Sequence, residues 1–422
     1  MLLTSNHDEI SLSTEAFWAQ TPRARDAAFE VLRRERPVSR QAPTDGGLRL
    51  VPPGADDPGY WAVVGYDDIV TVSRDTATYC SGKGITLEPV PAELVEPAAS
   101  MLAMDPPRHT QFRRLVSAAF TPRHVAQIED QIRRQARRIV DHLVERGDCD
   151  LVEAVSERMP SWTLSEMMGV APSEQERIAA AANAIVSWND PDATGDRHPL
   201  DVFVAALVDL TSAAHELAGS RRRTPGDDLM TSLVEAEIDG RRLSDEEIAS
   251  FFVLLSIAGN DTTRHTISHA LRALSEFPDQ KAYLEGNFPG RARDAVEEII
   301  RWASPVINFR RTATRDSVLG GQPIAEGDWV VLFFASANRD PSVFPDPWRL
   351  DLSRHPNPHL GFGGGGPHFC LGASLARAQL RSLLEEILHR VPDLEVGEPD
   401  YLVSNFINGI KRLPGHLPRR AS

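Results

Sequence analysis

One cysteine has surroundings that point to a specific chemistry. Cys370 follows the run Gly361-Phe-Gly-Gly-Gly-Gly-Pro-His-Phe and directly precedes a strongly periodic segment that predicts a helix. A helix N-terminus offers unpaired backbone N–H groups and the positive end of the helix dipole, which favour a thiolate over a thiol. Glycines have no Cβ, so the backbone can approach a large flat group closely. This arrangement suits an axial thiolate ligand to heme iron.

Two other interpretations of the same loop are weaker. A phosphate-binding P-loop needs Gly-Lys-Ser/Thr after the glycines, whereas Pro367, His368 and Phe369 follow here. A flexible linker accounts for four glycines, but linkers rarely run straight into a phenylalanine, a cysteine and an amphipathic helix. The heme-ligand hypothesis is therefore preferred.

A second group of chemically active residues lies in a long predicted helix, 245–276. Ser244 and Glu247 form a capping-box pattern, and no proline follows until Pro278. Such a helix is roughly 45 Å long at 1.5 Å per residue. Its apolar first half gives way to Ala-Gly-Asn-Asp-Thr-Thr at 258–263, whose residues are poor helix formers and include an acid that is costly to bury. A solvent-facing polar patch is the alternative, but a broken local rule in a consistent helix favours a functional site.

These two stretches resemble the cytochrome P450 family. The heme-ligand signature of that family is matched by Phe362, Gly363, His368, Cys370 and Gly372, and its oxygen-activation motif by Ala258, Gly259, Asp261 and Thr262. The resemblance implies that Cys370 is the metal ligand and that Gly259 leaves room for dioxygen. It also implies that Thr262 holds partly reduced oxygen and a water molecule, while Asp261 relays protons from solvent. Delivery of protons with bulk water excluded is what cleavage of the O–O bond requires.

Further matches concern the heme propionates and the scaffold. The resemblance implies propionate contacts from His109 and Arg113, which lie four residues apart, together with His368 and Arg311. A slip of one residue in strand register would replace Arg311 by Arg310. The family's structural E-x-x-R pair and the arginine that joins it are assigned to Glu298, Arg301 and Arg349.

The expected fold is mainly α with small β-sheets (α+β), the cytochrome P450 fold: a triangular helical prism around a buried heme, in a single domain spanning 1–422. The sequence predicts a β-rich part at about 30–75 and 305–334, a helical core at about 108–303 and 371–391, a heme-ligand loop at 361–372 and a structure-poor segment at 335–370. Predicted helices cover roughly 108–118, 123–146, 160–169, 173–188, 200–220, 226–237 and 245–276. Predicted strands include Tyr60–Val64, Val306–Phe309, Val318–Leu319 and Trp329–Phe334.

Composition limits the partners. The net charge of -15 argues against nucleic acid or an anionic membrane surface as a partner. No stretch approaches the ~18 uncharged apolar residues of a membrane span, and the N-terminus lacks a signal pattern. The three cysteines have no paired spacing, so neither a disulfide scaffold nor a zinc site is expected. We therefore expect a soluble, cytoplasmic protein of bacterial type.

The resemblance implies a heme-thiolate monooxygenase that contains heme b and uses dioxygen as co-substrate. The chain has no dinucleotide fingerprint and no iron–sulfur cysteine set, so NAD(P)H would act only indirectly. A ferredoxin with its NAD(P)H-dependent ferredoxin reductase is the expected electron donor. Arg113, Arg114, Arg377 and Arg381 are candidates for a basic patch on which that acidic carrier would dock.

The substrate is expected to be a hydrophobic small molecule. The resemblance places a pocket over the heme, with the candidate residues Leu87, Val90, Leu94, Met101, Leu102, Val186, Trp188, Phe251, Leu255, Ile307, Asn308 and Phe406. The motifs are similar to those of bacterial members acting on steroids, terpenoids and branched lipids, and a tailoring oxidase of macrolides, polyketides or peptides is the alternative. A non-catalytic heme protein is a third hypothesis, but it has no use for Asp261 and Thr262 in a distal helix.

Overall fold

The secondary structure follows the periodicity of the apolar residues. The computed structural model describes residues 7–45, 49–50, 58–89, 101–117, 120, 122–238 and 240–418. The described α-helices are Glu15–Trp18 (α1), Pro22–Glu35 (α2), Tyr66–Arg74 (α3), Arg108–Ser117 (α4), Pro122–Arg146 (α5), Arg158–Met168 (α6), Gln175–Val186 (α7), Pro191–Thr194 (α8), Pro199–Arg223 (α9), Leu229–Glu235 (α10), Asp245–Glu276 (α11), Pro278–Gly286 (α12), Phe288–Ala303 (α13), Phe334–Ala337 (α14) and Ala373–Arg390 (α15).

The strands are short and lie outside the main helical body. They are Val38–Gln41 (β1), Tyr60–Val63 (β2), Tyr79–Cys80 (β3), Cys149–Asp150 (β4), Glu237–Ile238 (β5), Arg241–Arg242 (β6), Asn308–Ala313 (β7), Ser317–Leu319 (β8), Gln322–Ile324 (β9), Trp329–Phe333 (β10), Glu395–Val396 (β11), Asp400–Tyr401 (β12), Ile410–Arg412 (β13) and Pro414–His416 (β14). The largest described sheet has five strands in the order β1-β2-β10-β7-β3, and its β2–β10 pair is parallel.

The early region predicted as β-rich is in fact mixed. Within 30–75, the described strands are only β1 and β2, and helices α2 and α3 flank them. The predicted strand at Val306–Phe309 begins two residues later, because Val306 forms only an isolated bridge with Ile407. The strand predicted to reach Phe334 ends at Phe333, since Phe334 starts the short helix α14.

The long helix is confirmed at both ends, Asp245 and Glu276. Ser244 accepts from the backbone N–H of Glu247, and the Glu247 carboxylate accepts from that of Ser244, so the predicted capping box is present. The helix packs against α6, α7 and α9 and is buried along most of its length. Apolar residues all round its first half explain this burial.

The E-x-x-R pair lies fully inside the protein. Arg301 Nε is 2.7 Å from Glu298 Oε2, and both side chains are 0% exposed. Arg301 also donates to the carbonyls of Asn338 and Pro347, at 2.8 and 2.9 Å, and so fixes the irregular segment that precedes the glycine-rich loop. The ion pair and the additional hydrogen bonds of Arg301 offset the free-energy cost of removing both charges from water.

The assignment of Arg349 to this group is wrong. Its side chain is 66% exposed, and its guanidinium is 3.9 Å from Asp279 rather than near Glu298. Arg354 takes the place instead, with Nε 3.2 Å from Glu298 Oε2. Both arginines lie in an irregular segment, where no periodicity indicates which side chain points inward.

One described helix, α9, is long and apolar enough to pass a composition test for a membrane span. It packs against α7, α10 and α11 through seven buried residues, among them Val202, Leu207 and Leu210. A core helix passes the same test.

Candidate active site

Cys370 opens onto the main cavity of the described residues. The cavity contains about 1580 Å³ of space not occupied by atoms, part of which is open to solvent. The loop 360–372 and α15 form one wall, and α11, α4, β7 and residues 101–102 form much of the rest. The space is large enough for a flat cofactor with a substrate beside it.

The glycine-rich loop is held by its own backbone and by α3. The N–H of Cys370 donates to the carbonyl of Phe362 at 3.0 Å, which closes the loop. A Cβ at Gly364 would lie 2.4 Å from Ser73 Oγ, and one at Gly366 would lie 2.4 Å from the Ser73 carbonyl. Gly363 and Gly366 also have positive φ angles of 96° and 74°. The glycines are therefore required by contact with α3, which the sequence did not reveal.

The Cys370 sulfur is the only protein group that we predict to bind metal. Among the described residues, no group of three or more histidine, cysteine, aspartate or glutamate side chains could hold an ion. Burial raises the pKa of the Cys370 thiol, while the N–H of Gly372 and the charges of Arg113 and Arg377 oppose that rise. Helix α15 begins at Ala373, so its N-terminus lies beside this sulfur as predicted. A single cysteine ligand would suit an iron whose remaining ligands come mainly from a porphyrin.

Four basic side chains line one end of the cavity: His109, Arg113, Arg311 and His368. The rings of His109 and His368 are tilted against each other with centroids 4.3 Å apart. Burial, together with the charges of Arg311, His109 and Arg113, lowers the pKa of His368 to about 3. The two histidines are therefore neutral at neutral pH, while Arg113 and Arg311 keep their positive charges and would stabilise an anion bound beside them.

His109 shows directly that a partner is needed. The side chain is 1% exposed, and neither ring nitrogen has a hydrogen-bond partner among the described residues. Burying unpaired polar atoms is costly, so a ligand oxygen is expected next to them. Arg113 already donates one bond, to the Phe369 carbonyl at 2.6 Å. These residues fit a heme whose propionates lie at this end of the cavity and whose iron meets Cys370.

Strand alternation separates Arg311 from Arg310. Arg311 and Phe309 line the cavity, because alternate residues of β7 point to the same face. Arg310 points to the other face, where it lies 3.7 Å from the ring of Trp329 and donates to the Lys83 carbonyl. Burial lowers the pKa of Arg311 to about 10, while Asp105 and Cys80 oppose that shift. The structure thus places Arg311, and not Arg310, in the wall of the cavity.

The oxygen-activation motif is divided between two environments. Ala258, Gly259 and Thr262 line the cavity, and the Thr262 hydroxyl donates to the Ala258 carbonyl at 2.8 Å. Asp261 does not line the cavity and is 0% exposed. Its carboxylate is 2.8 Å from the guanidinium of Arg264, one turn later on α11. The acid is therefore sealed from solvent, unlike the solvent-linked relay that the sequence suggested.

Asp261 nevertheless has a pKa close to neutral pH, where a carboxyl group can both take up and release a proton. Burial raises it to about 6, and the positive charge of Arg264 opposes the rise. Arg264 is itself held by Asn183, whose Oδ1 accepts at 2.6 Å, and lies 3.0 Å from Nε2 of His265. Near-neutral carboxyl pKa values are typical of groups that transfer protons.

The predicted substrate residues divide into three groups. Met101, Leu102 and Leu255 line the cavity, whereas Val90 and Leu94 lie outside the described residues. The other seven lie away from its wall: Leu87, Val186, Trp188, Phe251, Ile307, Asn308 and Phe406.

Packing elsewhere in the protein explains why several of these residues do not line the cavity. Phe251 belongs to the helical core, and Leu87 and Ile307 pack in a separate cluster with Tyr60. Trp188 is 5% exposed and buried away from the cavity.

Three more of the predicted substrate residues lie away from the cavity wall. One does so because of strand alternation, and two because they pack in a small cluster behind the wall. Asn308 is on the face of β7 opposite to Phe309, and its amide donates to the Asn405 carbonyl at 2.7 Å. Val186 and Phe406 form a small cluster behind the wall, and Phe406 contacts the ring of Phe309 edge-on at 5.5 Å.

Other lining residues were not named individually from the sequence: Ser73, Ile85, Leu254, Thr263, Thr266, Ile300 and Gln379. Val306 and Phe309, which also line the cavity, belong to the segment Val306–Phe309 that the sequence predicts as part of the pocket, and alternation places Phe309 on the same face of β7 as Arg311. Thr266 lies one turn after Thr262 on α11, so helical spacing would have indicated it. Ser73 and Gln379 carried no signal, because their positions depend on how α3 and α15 pack.

Comparison with known proteins identifies the family. A model of the Cytochrome P450 family matches residues 292–392. The chain is 45% identical over 410 residues to the methyl-branched lipid omega-hydroxylase of Mycobacterium tuberculosis, covering 96% of this chain and 94% of that protein. It is 38% identical over 364 residues to the steroid C26-monooxygenase of Mycolicibacterium smegmatis, covering 85% and 83%.

Solved structures agree. A Mycobacterium marinum cytochrome P450 in complex with pseudoionone superimposes with a TM-score of 0.96 at 51% identity, covering 99% of this chain and 100% of that one. The fold is therefore the cytochrome P450 fold, mainly helical with small sheets. The chain belongs to the cytochrome P450 family. It is a monooxygenase that hydroxylates hydrophobic molecules, and its family implies heme-thiolate chemistry and the use of dioxygen.

Proposed function

We propose that this monooxygenase hydroxylates the end of a methyl-branched hydrocarbon chain, as in a branched lipid or an isoprenoid. The observation that carries the proposal is the apolar wall above Cys370, considered with the relatives. The first relative described above is named for omega-hydroxylation of methyl-branched lipids, at 45% identity over nearly the whole chain. A saturated chain end offers no polar group, so only shape and apolar contact can orient it.

The wall beside α11 is suited to such a chain. Leu254, Leu255, Val306 and Phe309 present apolar side chains to the cavity. The hydroxyl of Thr266 donates to the Thr262 carbonyl at 2.7 Å, and Thr262 is likewise bonded within its helix. The hydroxyl groups of both threonines are therefore already hydrogen-bonded and do not require a polar partner on the substrate. This favours a hydrocarbon segment near the reacting position.

The cofactor is proposed to be heme b. Cys370 would ligate its iron, and His109, Arg113, Arg311 and His368 would bind its propionates. When bound, the heme supplies the redox chemistry that reduces dioxygen with two electrons and inserts one oxygen atom into a C–H bond. The overall reaction consumes substrate, dioxygen, two electrons and two protons, and it yields an alcohol and water.

The residues of α11 are proposed to manage the protons. The Thr262 hydroxyl faces the cavity and can donate to an oxygen held there when its bond to Ala258 is released. Asp261, with a pKa of about 6, is able both to hold and to release a proton near neutral pH. Arg264 fixes the carboxylate in place at 2.8 Å, so the carboxylate must leave this pair to deliver a proton elsewhere.

Electrons are proposed to come from a ferredoxin reduced by its NAD(P)H-dependent reductase in the bacterial cytoplasm. Of the four arginines suggested for docking, Arg377 is paired with Glu297, Arg381 with Glu129, and Arg113 with the Phe369 carbonyl. Arg114 is exposed and has no such pairing among the described residues. The charge of Arg114 is thus the one most available to an acidic carrier.

The carrier proposal is tested by charge reversal. Arg114→Glu should raise the ferredoxin Michaelis constant several-fold at low salt and less at high salt. Arg223→Glu is the matched control, since Arg223 is exposed at the end of α9, far along the chain from the loop. Equal reduction kinetics in both variants would remove Arg114 from the docking surface.

The substrate proposal is tested with the heme-loaded protein and a generic reductase pair. Methyl-branched fatty acids, an acyclic isoprenoid, a sterol and a macrolide are offered at equal concentration, and products are located by mass spectrometry and NMR. A terminal alcohol from the branched chains, with little turnover of the macrolide, is expected. Preferred oxidation of the macrolide would instead favour the tailoring alternative.

A further inference from the structure

A small second cavity adjoins the main one behind α11. It lies where α6 and α15 pack against that helix, and Leu164, Met167, Leu255, Gly259 and Leu375 form much of its wall. About 30 Å³ of this side chamber is open to the centre of a water-sized molecule. At roughly 10–15 Å³ for each such molecule, the chamber holds about two.

The side chamber meets the main cavity at Gly259. Gly259, Leu255, Leu375 and Gln379 belong to the walls of both spaces. A Cβ built on Gly259 would find Leu164 Cδ1 as its nearest neighbour, at 3.7 Å, which is ordinary van der Waals contact. Alanine would therefore fit between the packed helices and would make a better helix former. Packing between the described helices therefore does not require this glycine, and the space that its missing side chain leaves open lies where the two cavities meet.

The chemistry of the wall selects the occupant. Thr163 and Gln379 are the polar side chains in the wall, and the Thr163 hydroxyl already donates to the Met159 carbonyl at 2.8 Å. Gln379 Oε1 is buried and has no hydrogen-bond partner in the described part of the chain, which gives a water molecule one strong acceptor. A buried water typically makes about three hydrogen bonds, whereas cavities with apolar walls stay dry and bind apolar guests. The methionine sulfurs add polarisable contacts.

We propose that the side chamber is a binding site for a small apolar gas, and that it holds dioxygen next to Gly259 before dioxygen enters the main cavity. The chamber concentrates dioxygen on the side of α11 remote from the substrate, so a bulky hydrocarbon over the cofactor does not block its supply. The role in supplying dioxygen rests on the proposed function, but the affinity for an apolar gas does not.

Xenon tests the binding site directly. Crystals of the full-length, heme-loaded protein are pressurised with xenon, and the anomalous signal is mapped. A xenon atom between Leu164 and Gly259 is expected in the wild-type protein. In Leu164→Trp the larger side chain fills the chamber, so that signal should disappear while any xenon in the main cavity remains.

Dioxygen association tests the role. Binding to the ferrous protein is followed by stopped flow at several dioxygen concentrations. Leu164→Trp should slow association several-fold, with heme content and the substrate-induced spectral shift unchanged. Val208→Trp is the matched control, because it adds a tryptophan on α9 at a side chain that is 58% exposed. If Leu164→Trp does not fold, Met167→Phe reduces the chamber by a smaller change and is measured in the same way.

The outcomes are distinct. Xenon in the chamber, lost in Leu164→Trp together with slower dioxygen association, supports the proposal. Ordered water bonded to Gln379 in place of xenon overturns it, and so does an association rate equal to that of Val208→Trp. Failure of the branched-lipid function would appear as absent product with the xenon site intact, so the two results are separable.

Discussion

Asp261 and Arg264 form an ion pair inside α11, with 2.8 Å between Oδ1 of the acid and Nη2 of the arginine. The carboxylate is fully buried, and neither oxygen makes a well-formed hydrogen bond to any residue that the structure describes. Coulombic attraction to Arg264 therefore stabilises the charge, while burial opposes it and raises the pKa to about 6. This balance makes the charge of Asp261 sensitive to pH close to neutrality.

A stability measurement across pH tests this balance. The pKa of Asp261 is about 6 in the folded protein, above the ordinary 3.8. Between these two pH values the folded state binds a proton that the unfolded state has released, so the free energy of unfolding falls as pH rises through this range. Between pH 5 and pH 7 the wild-type protein should lose about 1 kcal/mol relative to Asp261→Asn. Denaturant unfolding of both proteins at each pH measures the difference. A difference that is constant with pH would show that Asp261 does not titrate there.

Thr262 should control how reducing equivalents are used. Thr262→Ala removes the hydroxyl that faces the cavity, so less product and more hydrogen peroxide are expected for each NAD(P)H consumed. Thr266→Ala is the control, because Thr266 lines the same cavity one turn further along α11. Product, peroxide and cofactor consumption are measured together. Unchanged coupling in Thr262→Ala would contradict the proton-handling role.

Arg311 and Arg310 should differ in their effect on heme retention. Losing a charged hydrogen bond costs about 1.5–3 kcal/mol, so Arg311→Gln should release heme about tenfold faster or more. Arg310→Gln changes the neighbouring residue, whose side chain stacks on Trp329 on the opposite face of β7. Transfer of heme to apomyoglobin gives both rates. Equal rates would mean that Arg311 does not bind a propionate.

The contact between Arg354 and Glu298 predicts that Arg354 contributes more to stability than Arg349 does. Arg354→Ala removes a partner 3.2 Å from the buried Glu298 and should lower the free energy of unfolding by about 2 kcal/mol. Arg349→Ala changes an exposed side chain and should stay within about 0.5 kcal/mol of wild type. Denaturant unfolding checks both. A larger loss from Arg349→Ala would restore the original assignment.

The sequence predicted α11 to the residue because several signals agreed there. The capping box at Ser244 fixes the start, Pro278 limits the end, and the apolar first half indicates burial. The pairing of Asp261 with Arg264 could equally have been predicted from the sequence, since residues three apart share a helix face. It was overlooked because the motif directed attention to solvent as the proton source.

Irregular segments and strand ends were less predictable. Arg349 and Arg354 lie where no periodic pattern fixes the direction of a side chain, so spacing along the chain could not distinguish them. On β7 the alternation does fix direction, and a start misplaced by two residues leaves it unchanged, so the opposite placement of Asn308 and Phe309 could have been predicted from the sequence. The orphaned nitrogens of His109 and the contact of Ser73 with Gly364 depend on packing between distant segments.

The ferrous carbon monoxide difference spectrum tests the central claim most directly, namely that Cys370 ligates the iron of a heme as a thiolate. Wild-type protein should show the long-wavelength Soret band of a thiolate-ligated carbon monoxide complex. Cys370→Ser should lose that band, while Cys80→Ser and Cys149→Ser should keep it. An unchanged band in Cys370→Ser would contradict the account.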